Sequence, residues 1–515
     1  MRRRDLCLAL TAGAAPLPGT VRDTLAQRLP PPVPPSPAPY PAEALAARDP
    51  ATLRRLADRL RRLEEDGLDP AAYALPADAL ALTDPRGFAE GMQRAASAAL
   101  SDLLLGRLRL PASRPDILRD PAAVPLPRWQ AELASAPDPA AVIDRAARRH
   151  PDAPALKAAL AGARALVAAG GWQPIPATGG TIEPGSTDPA RVPALRARLR
   201  AEDPALAAAP DAGELYDDAL LDVVRRWQEA NGLEADGRVG ALTLAALNRP
   251  AEARVDQLRV ALDMRRAAAT PPAGPRVEVN IPDFTLRVVD GPRVLLRMNV
   301  VVGRPSRATP LLRVRMTTVQ FNPPWGVPER NARQDLLPKF RRDPRGMAAK
   351  GFRLYTVVGG ERVEVDPATV DWASMTPTNF PYFIRQDAGD ANALGRLKFI
   401  MPNNDDIYLH DTPERALFNR PDRAFSSGCI RLERPMELLD IALDGMGWDR
   451  ARSQQIFDSK QTRFVPLKRS LPVNLHYTTA VVEEGRVRLR PDIYGLDAAY
   501  AREMDRIATA RIAAR

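Results

Sequence analysis

A cysteine sits in the run Ala424-Phe425-Ser426-Ser427-Gly428-Cys429-Ile430-Arg431-Leu432, 19 positions after a histidine in Ile407-Tyr408-Leu409-His410-Asp411-Thr412-Pro413. The 515-residue chain has only two cysteines and three histidines, so both residues are scarce. A thiol is weakly ionised at neutral pH, with a reference pKa of about 8.5. A neighbouring imidazole that takes its proton makes it a nucleophile. Gly428 leaves the backbone before the thiol unobstructed. Amides around Ser427, Gly428 and Cys429 could then face a developing oxyanion, each such donor being worth roughly 2.7–4 kcal/mol of barrier. Arg431 could fix this loop or grip a substrate carboxylate with two prongs. A lone cysteine is more often a core thiol, and a lone histidine more often structural. The sole thiol of the folded part, a glycine before it and a histidine upstream together favour nucleophilic chemistry. Asp411 adjoins His410, and adjacent side chains usually diverge, so a backbone carbonyl is the expected orienter of the ring.

Such a pair must be held by regular elements. The apolar residues Ile407 and Leu409 predict a strand end that aims His410. From about residue 275 the hydrophobic period is two: Val277, Val279 and Ile281, then Val294, Leu296, Met298, Val300 and Val302 after the turn Asp290-Gly291. A mainly β domain is predicted over 275–449, interrupted by a long irregular stretch at 321–394 of the kind that often forms a functional lid. Trp325 in that stretch is a candidate wall of the entrance, with ordinary core packing as the competing reading. Residues 450–515 read as a C-terminal extension, with strand-like Val473 to Val482, a turn at Asp492-Ile493-Tyr494-Gly495 and a final helix.

Upstream the period is helical. Leu53, Leu56, Leu60 and Leu63 form one helix face within a helical scaffold predicted over 42–185. His150 lies in that scaffold and reads as a surface residue near a helix end. A small helical unit over 190–250 carries Tyr216, Leu220, Val224 and Trp227 on one stripe, then the stop Asn231-Gly232-Leu233 and a short helix through Val239, Leu242 and Leu247. The predicted class is therefore multi-domain α+β. Residues 30–41, eight of which are proline, are the stiff part of a proline-rich linker spanning 21–41. Residues 1–20 begin Met1-Arg2-Arg3-Arg4, turn apolar and contain Ala12-Gly13-Ala14; they read as a secretory signal, with a faint twin-arginine flavour, that would carry Cys7 away.

Composition narrows the partners. The formal net charge is +10, which suits an anionic partner or simply a solvated arginine-rich surface. There is no long block of like charge, no zinc spacing and no nucleotide loop, so no nucleic-acid partner, metal or organic cofactor is expected. No stretch approaches the roughly 20 apolar residues of a membrane span, so none is expected once the leader is removed.

Two groups of residues also resemble known families. Leu215-Tyr216-Asp217, Trp227-Gln228, Gly232-Leu233, Asp236-Gly237-Arg238-Val239-Gly240, Thr243 and Leu247 resemble the peptidoglycan-binding domain, with Trp227 where Phe is more usual. Tyr408-Leu409-His410-Asp411 with Ser426-Ser427-Gly428-Cys429-Ile430-Arg431-Leu432 resembles the signature of the L,D-transpeptidase catalytic domain, the YkuD family. Val302-Gly303-Arg304-Pro305, Phe321-Asn322-Pro323-Pro324-Trp325 and Asn392 to Phe399 extend that resemblance. From about 40 to 500 the chain resembles the large, multi-domain periplasmic members of Gram-negative bacteria, which have a scaffold domain and a cap over the site. Much of the family has His before the Gly-Cys pair, where this chain has Ser427, as the large members do. Serine is no base near neutral pH, so that burden would fall on His410.

The resemblance implies a periplasmic, cofactor-free acyl transferase. Cys429 would attack the carbonyl of the third residue of a tetrapeptide stem, and the acyl group would pass to the side-chain amine of another stem. Water as acceptor would give an L,D-carboxypeptidase. Tyr408, Ser426, Arg431 and Trp325 would contact substrate, Ser427 and Gly428 would shape the oxyanion loop, and carbapenem-type inhibitors would acylate the thiol. Expected partners are peptidoglycan stem peptides and glycan. A papain-like peptidase places Cys before His, and caspases carry another motif, so neither fits. A non-catalytic scaffold that docks on peptidoglycan is the alternative from another class.

Overall fold

The computed structural model describes residues 48–108, 114–117 and 119–514. The signal and linker expectations for 1–20 and 21–41 lie outside the described residues. Many helices here start the same way. At Asp49-Pro50, Asp84-Pro85, Asp138-Pro139, Asp203-Pro204 and Asp343-Pro344 the aspartate side chain accepts from amides of the first turn, and the proline occupies a first-turn position where its missing N–H costs nothing. Each cap contributes on the order of 1 kcal/mol. Part of the proline content, 53 residues, is thereby helix-starting rather than helix-breaking.

The first helical region is built on Pro50–Arg61, Pro85–Leu105, Leu126–Ser135 and Pro139–Ala147. Its core takes in the predicted stripe Leu53, Leu56, Leu60 and Leu63 together with Met92, Leu100 and Ile143. It also takes in Ala508, from the chain's last helix, Leu496–Ala513. The helix Ala153–Ala168 does something different: Leu156 and Leu160 pack on Leu258 and Leu262 of Ala251–Arg265 and on Ala480. His150 is half-buried just before it, its Nδ1 accepting from the Asp152 amide at 3.1 Å.

The small unit at 190–250 has the predicted helices, Asp218–Ala230 and Ala241–Leu247, and buries Tyr216, Leu220, Val224, Trp227, Val239 and Leu247. Leu242 instead faces solvent, 46% exposed, on the outer side of its short helix.

The main sheet has nine strands: β1 Arg276–Asn280, β2 Thr285–Asp290, β3 Arg293–Gly303, β4 Leu312–Phe321, β9 Leu397–Ile400, β10 Leu409–His410, β11 Ala424–Ser426, β12 Ile430–Leu432 and β13 Arg463–His476. Their order is β11-β3-β12-β10-β9-β4-β13-β1-β2, and β2 also pairs with β3, so the sheet closes on itself. In β3 the predicted alternation holds for Leu296, Met298, Val300 and Val302, which are buried, while Val294 is exposed at the hairpin tip.

Two features were not apparent from pattern. The long β13 sits between β4 and β1, so residues 463–476 complete the catalytic sheet rather than trailing from it. The excursion leaves at Phe321 and returns at Leu397, two residues paired across β4 and β9, so it stands on a closed base. It forms its own sheet from β5 Trp325–Gly326, β6 Phe352–Val358, β7 Glu361–Val365 and β8 Phe383–Gln386, in the order β5-β8-β6-β7. Phe340 stacked on Trp372 (4.8 Å), with Phe352, Leu354 and Phe380, gives this cap an apolar core of its own. A hairpin of β14 Ala480–Glu483 and β15 Arg486–Leu489 follows β13. Among the described residues no helix is long and apolar enough to cross a membrane.

Candidate active site

Cys429 and His410 come from adjacent strands. β10 and β12 run parallel with Leu409 opposite Ile430 and His410 opposite Arg431. Side chains alternate across a strand, so Leu409 and Ile430 point into the core and are fully buried. Tyr408, His410, Cys429 and Arg431 take the other face and line one cleft of about 750 Å³. β9 pairs antiparallel with β10, placing Lys398 opposite His410 on that same face. Three cation-forming residues, Lys398, His410 and Arg431, thus lie in a row across three strands.

That row and burial set the protonation of the histidine. His410 is only 4% exposed. Burial first, then the Arg431 charge, push its pKa down to about 3; hydrogen bonding to the Asp411 carbonyl opposes this, Lys398 adds to it, and the Leu394 carbonyl opposes it. The ring is therefore neutral near pH 7. Its Nδ1 lies 2.5 Å from the Asp411 carbonyl oxygen, which can only accept, so Nδ1 carries the proton and Nε2 keeps its lone pair. The Asp411 carboxylate points elsewhere, accepting from the amides of Arg396 (2.9 Å) and Thr412 (2.8 Å) and from Arg415.

The thiol is also neutral at rest. Cys429 Sγ donates toward the Asp406 carbonyl at 3.8 Å. Burial pushes its pKa up; the Tyr408 amide and hydroxyl, Lys398 and Arg431 pull against that. Cys429 is the free thiol of the described residues. The arrangement can support attack by a thiol that gives up its proton as it reacts.

The loop before the thiol is tightly wired. Ser426 Oγ donates to the Cys429 carbonyl (2.6 Å) and accepts from the Gly428 amide (3.1 Å). Ser426 is thus buried and engaged within the turn, and the Gly428 amide is committed as well, which leaves the neighbouring amides of Ser427 and Cys429 as the loop's remaining candidates for an oxyanion. Gly428 has φ +123°, a conformation that favours glycine, and a Cβ there would approach Ile407 Cδ1 to 3.1 Å. Ser427 Oγ accepts from Arg307 (2.9 Å) and Asn331 (3.2 Å). Arg307 also reaches Gln334 (2.6 Å) and Asp335, residues of the π-helical turn Ala332–Leu336. Ser427 therefore joins the loop to the cap. Trp325 lines the cleft and packs edge-on against Phe352 of the cap at 6.4 Å. The Arg431 guanidinium is paired with Glu414 at 2.5 Å.

Several residues of the site were not singled out in sequence. Lys398 lies with its Nζ 3.8 Å from the Tyr408 ring centroid; the alternation Leu397-Lys398-Phe399 carried a signal for its face. Arg307 and Asn331 lie far along the chain from the thiol and gave none. Thr309 Oγ1 accepts from the Gly303 amide (2.8 Å) and donates to the Gly428 carbonyl (2.8 Å). Tyr494, from beyond β13, donates to the Gly303 carbonyl (2.6 Å) and accepts from the Thr309 amide (3.1 Å). Tyr494 is held in turn by the Tyr477 hydroxyl, which donates to Asp492. The chain's tail therefore braces the thiol loop.

A closed sheet with a capped cleft holding one thiol and one neutral imidazole, beside a separate small helical unit, defines a modular enzyme with a cysteine at its centre. Residues 274–450 match the L,D-transpeptidase catalytic domain family, YkuD, and residues 189–247 match the family described as "Putative peptidoglycan binding domain". Residues 274–450 belong to that enzyme family, joined in one chain to a peptidoglycan-binding domain. A protein of Haemophilus influenzae named "Putative L,D-transpeptidase" is 41% identical over 239 residues, which is 46% of this chain and 48% of that protein. The match thus spans about half the length of this relative. Two solved L,D-transpeptidase structures are more distant. One, from Xylanimonas cellulosilytica, is 15% identical, covering 58% of this chain and all of that one, with a TM-score of 0.18. The other, from Stackebrandtia nassauensis, is 14% identical, covering 55% and 88%, with a TM-score of 0.19. At those scores neither bears on the fold.

Proposed function

We propose that the protein cross-links peptidoglycan stems in the cell envelope by a two-step acyl transfer on Cys429. The observation that carries this reading is the pairing of β10 with β12, which sets the thiol and the neutral imidazole of His410 on one face of one cleft. In the first step Sγ attacks the carbonyl carbon of the third stem residue while its proton passes to His410 Nε2. The negative charge on the tetrahedral oxygen meets the amides of Ser427 and Cys429. His410 then returns the proton to the nitrogen of the fourth residue, a D-alanine, as the C–N bond breaks. In the second step the side-chain amine of another stem attacks the thioester, gives its proton to His410, and Sγ leaves and takes that proton back.

The low pKa of His410 suits a base that hands its proton on. Burial and the Arg431 charge disfavour the imidazolium, which becomes favourable only beside the charge that develops during attack. Ser427, engaged by Arg307 and Asn331, takes no part in proton transfer and holds the cap to the loop. Water as acceptor makes the same machinery an L,D-carboxypeptidase. Carbapenem-type rings would open on the same thiol. Export through the N-terminal segment would place the enzyme with its substrate.

The test is incubation with a tetrapeptide-stem muropeptide. The expected products are free D-alanine and a dimer joined through two third-position residues, both absent with Cys429→Ala. Equal product from Cys429→Ala would refute the reading.

A further inference from the structure

The cleft holds several cations, and most are already engaged. Arg307 is shared among Asp335, Gln334 and Ser427. Arg431 is paired with Glu414. Arg330 donates to Gln334 (3.4 Å) and to the Ser306 carbonyl (3.3 Å). Lys398 differs. Its Nζ rests over the Tyr408 ring at 3.8 Å, and among the described residues no carboxylate forms an ion pair with it. Asp406 is near enough for its charge to act on Lys398, but not in contact. A half-buried ammonium satisfied only by a ring face is a site waiting for an anion.

The position of the ammonium says which anion. Lys398 neighbours the thiol across the strand pairs β9–β10 and β10–β12, and the charge of a thiolate at Cys429 is felt at its Nζ. Lys398 and Cys429 line the same cleft, and each peptide residue advances the chain by at most about 3.8 Å, so a cation placed to feel the thiolate's charge can meet the residue just beyond the scissile bond. If that residue is the last of the stem, it presents a free α-carboxylate there. This step rests on the acyl-transfer reading above. We propose that the Lys398 ammonium, seated on Tyr408, is the subsite for the free α-carboxylate of the departing amino acid, and so restricts cleavage to the terminal residue of a stem.

The experiment compares acylation rates of Cys429, read by intact-protein mass, with three stems: the free-acid tetrapeptide, its C-terminal carboxamide, and a free acid whose third-residue side-chain carboxylate is amidated. The wild type should acylate the first and third alike, and the carboxamide at least ~10-fold more slowly, as expected for loss of one charge-assisted hydrogen bond. Lys398→Met should slow the free acid to the carboxamide's rate and erase the preference, and Lys398→Arg should restore it. Iodoacetamide labelling of Cys429 and a thermal midpoint near that of the wild type establish that Lys398→Met is folded; Lys398→Gln serves the same comparison if Met is not tolerated. A preference unchanged without the ammonium would overturn the proposal while leaving acyl transfer intact. A preference that follows the third-residue carboxylate would overturn the assignment to the departing residue. Absence of any adduct on the wild-type thiol would overturn the functional reading, and this inference with it.

Discussion

The small unit at 189–247 and the catalytic sheet are both recognisable by motif, yet their motifs do opposite work. In the small unit Tyr216, Trp227, Gln228, Val239, Thr243 and Leu247 of the signature face inward, while Leu215 and Arg238 are exposed. Tyr216 donates to the Gly237 carbonyl (2.6 Å), and Gln228, 1% exposed, bonds the Gly237 amide (2.8 Å), the Arg238 carbonyl (3.0 Å) and Thr243 (3.2 Å). Trp227 is buried and donates to Glu202. That signature specifies how a turn is held between two helices, which is a statement about fold. In the catalytic sheet, Tyr408, His410, Cys429 and Arg431 face a cleft, and the signature is a statement about chemistry. A matching motif therefore means different things according to which way its side chains point.

Altering one signature residue in each region separates the two roles. Cys429→Ala should remove covalent labelling by a carbapenem entirely while the thermal midpoint stays close to that of the wild type. His410→Ala should lower turnover by about 10²–10⁴-fold, the range for loss of a general base, because Ser427 cannot replace it; a loss under tenfold would mean the proton goes elsewhere. Because burial holds His410 to a pKa of about 3 instead of the ordinary value near 6.5, turnover should show no loss from this group as pH falls through 6.5, and the acid limb should appear nearer 3. Stability responds earlier than turnover: neutral His410 costs nothing above 6.5, and stability is lost as pH falls from there toward 3, a window in which the unfolded chain binds the proton and the folded one does not. Tyr494→Phe removes only a hydroxyl from the brace on Gly303 and Thr309, and should lower kcat about tenfold with KM little changed. In the small unit Gln228→Leu should cost about 1–3 kcal/mol of stability by leaving turn groups unpaired, read as an earlier thermal transition, with acylation of Cys429 unaltered. If it instead abolished acylation and left stability alone, the distinction between the two motifs would fail.

Legibility in the sequence followed the length of the pattern. The Leu53 stripe and the alternation of β1 to β3 run long enough to show their period and their buried face. β10 and β12 have two and three residues, too few to carry a period, so the closeness of His410 and Cys429 was suggested by residue rarity and motif. β13 lies beside β4 and β1, strands roughly 150 and 200 residues earlier, and nothing local announces such a pairing. Arg307, Thr309 and Tyr494 are ordinary surface or turn residues by type; only the folded chain brings them to the thiol loop. Ser426 stood out as a substrate contact and Gly428 as part of the oxyanion loop; the bond between them, which uses up the Gly428 amide, depends on a backbone conformation that sequence does not display.

If Cys429 carries the stem as a thioester, rapid acid quenching of the wild-type protein with a tetrapeptide-stem muropeptide, followed by intact mass measurement and peptide mapping, will trap it. The expected result is a transient adduct with the mass of the stem less its terminal D-alanine, on Cys429 alone, formed and consumed at rates that match turnover. Product appearing at full rate with no adduct on Cys429, or with the acyl group on another residue, would contradict it.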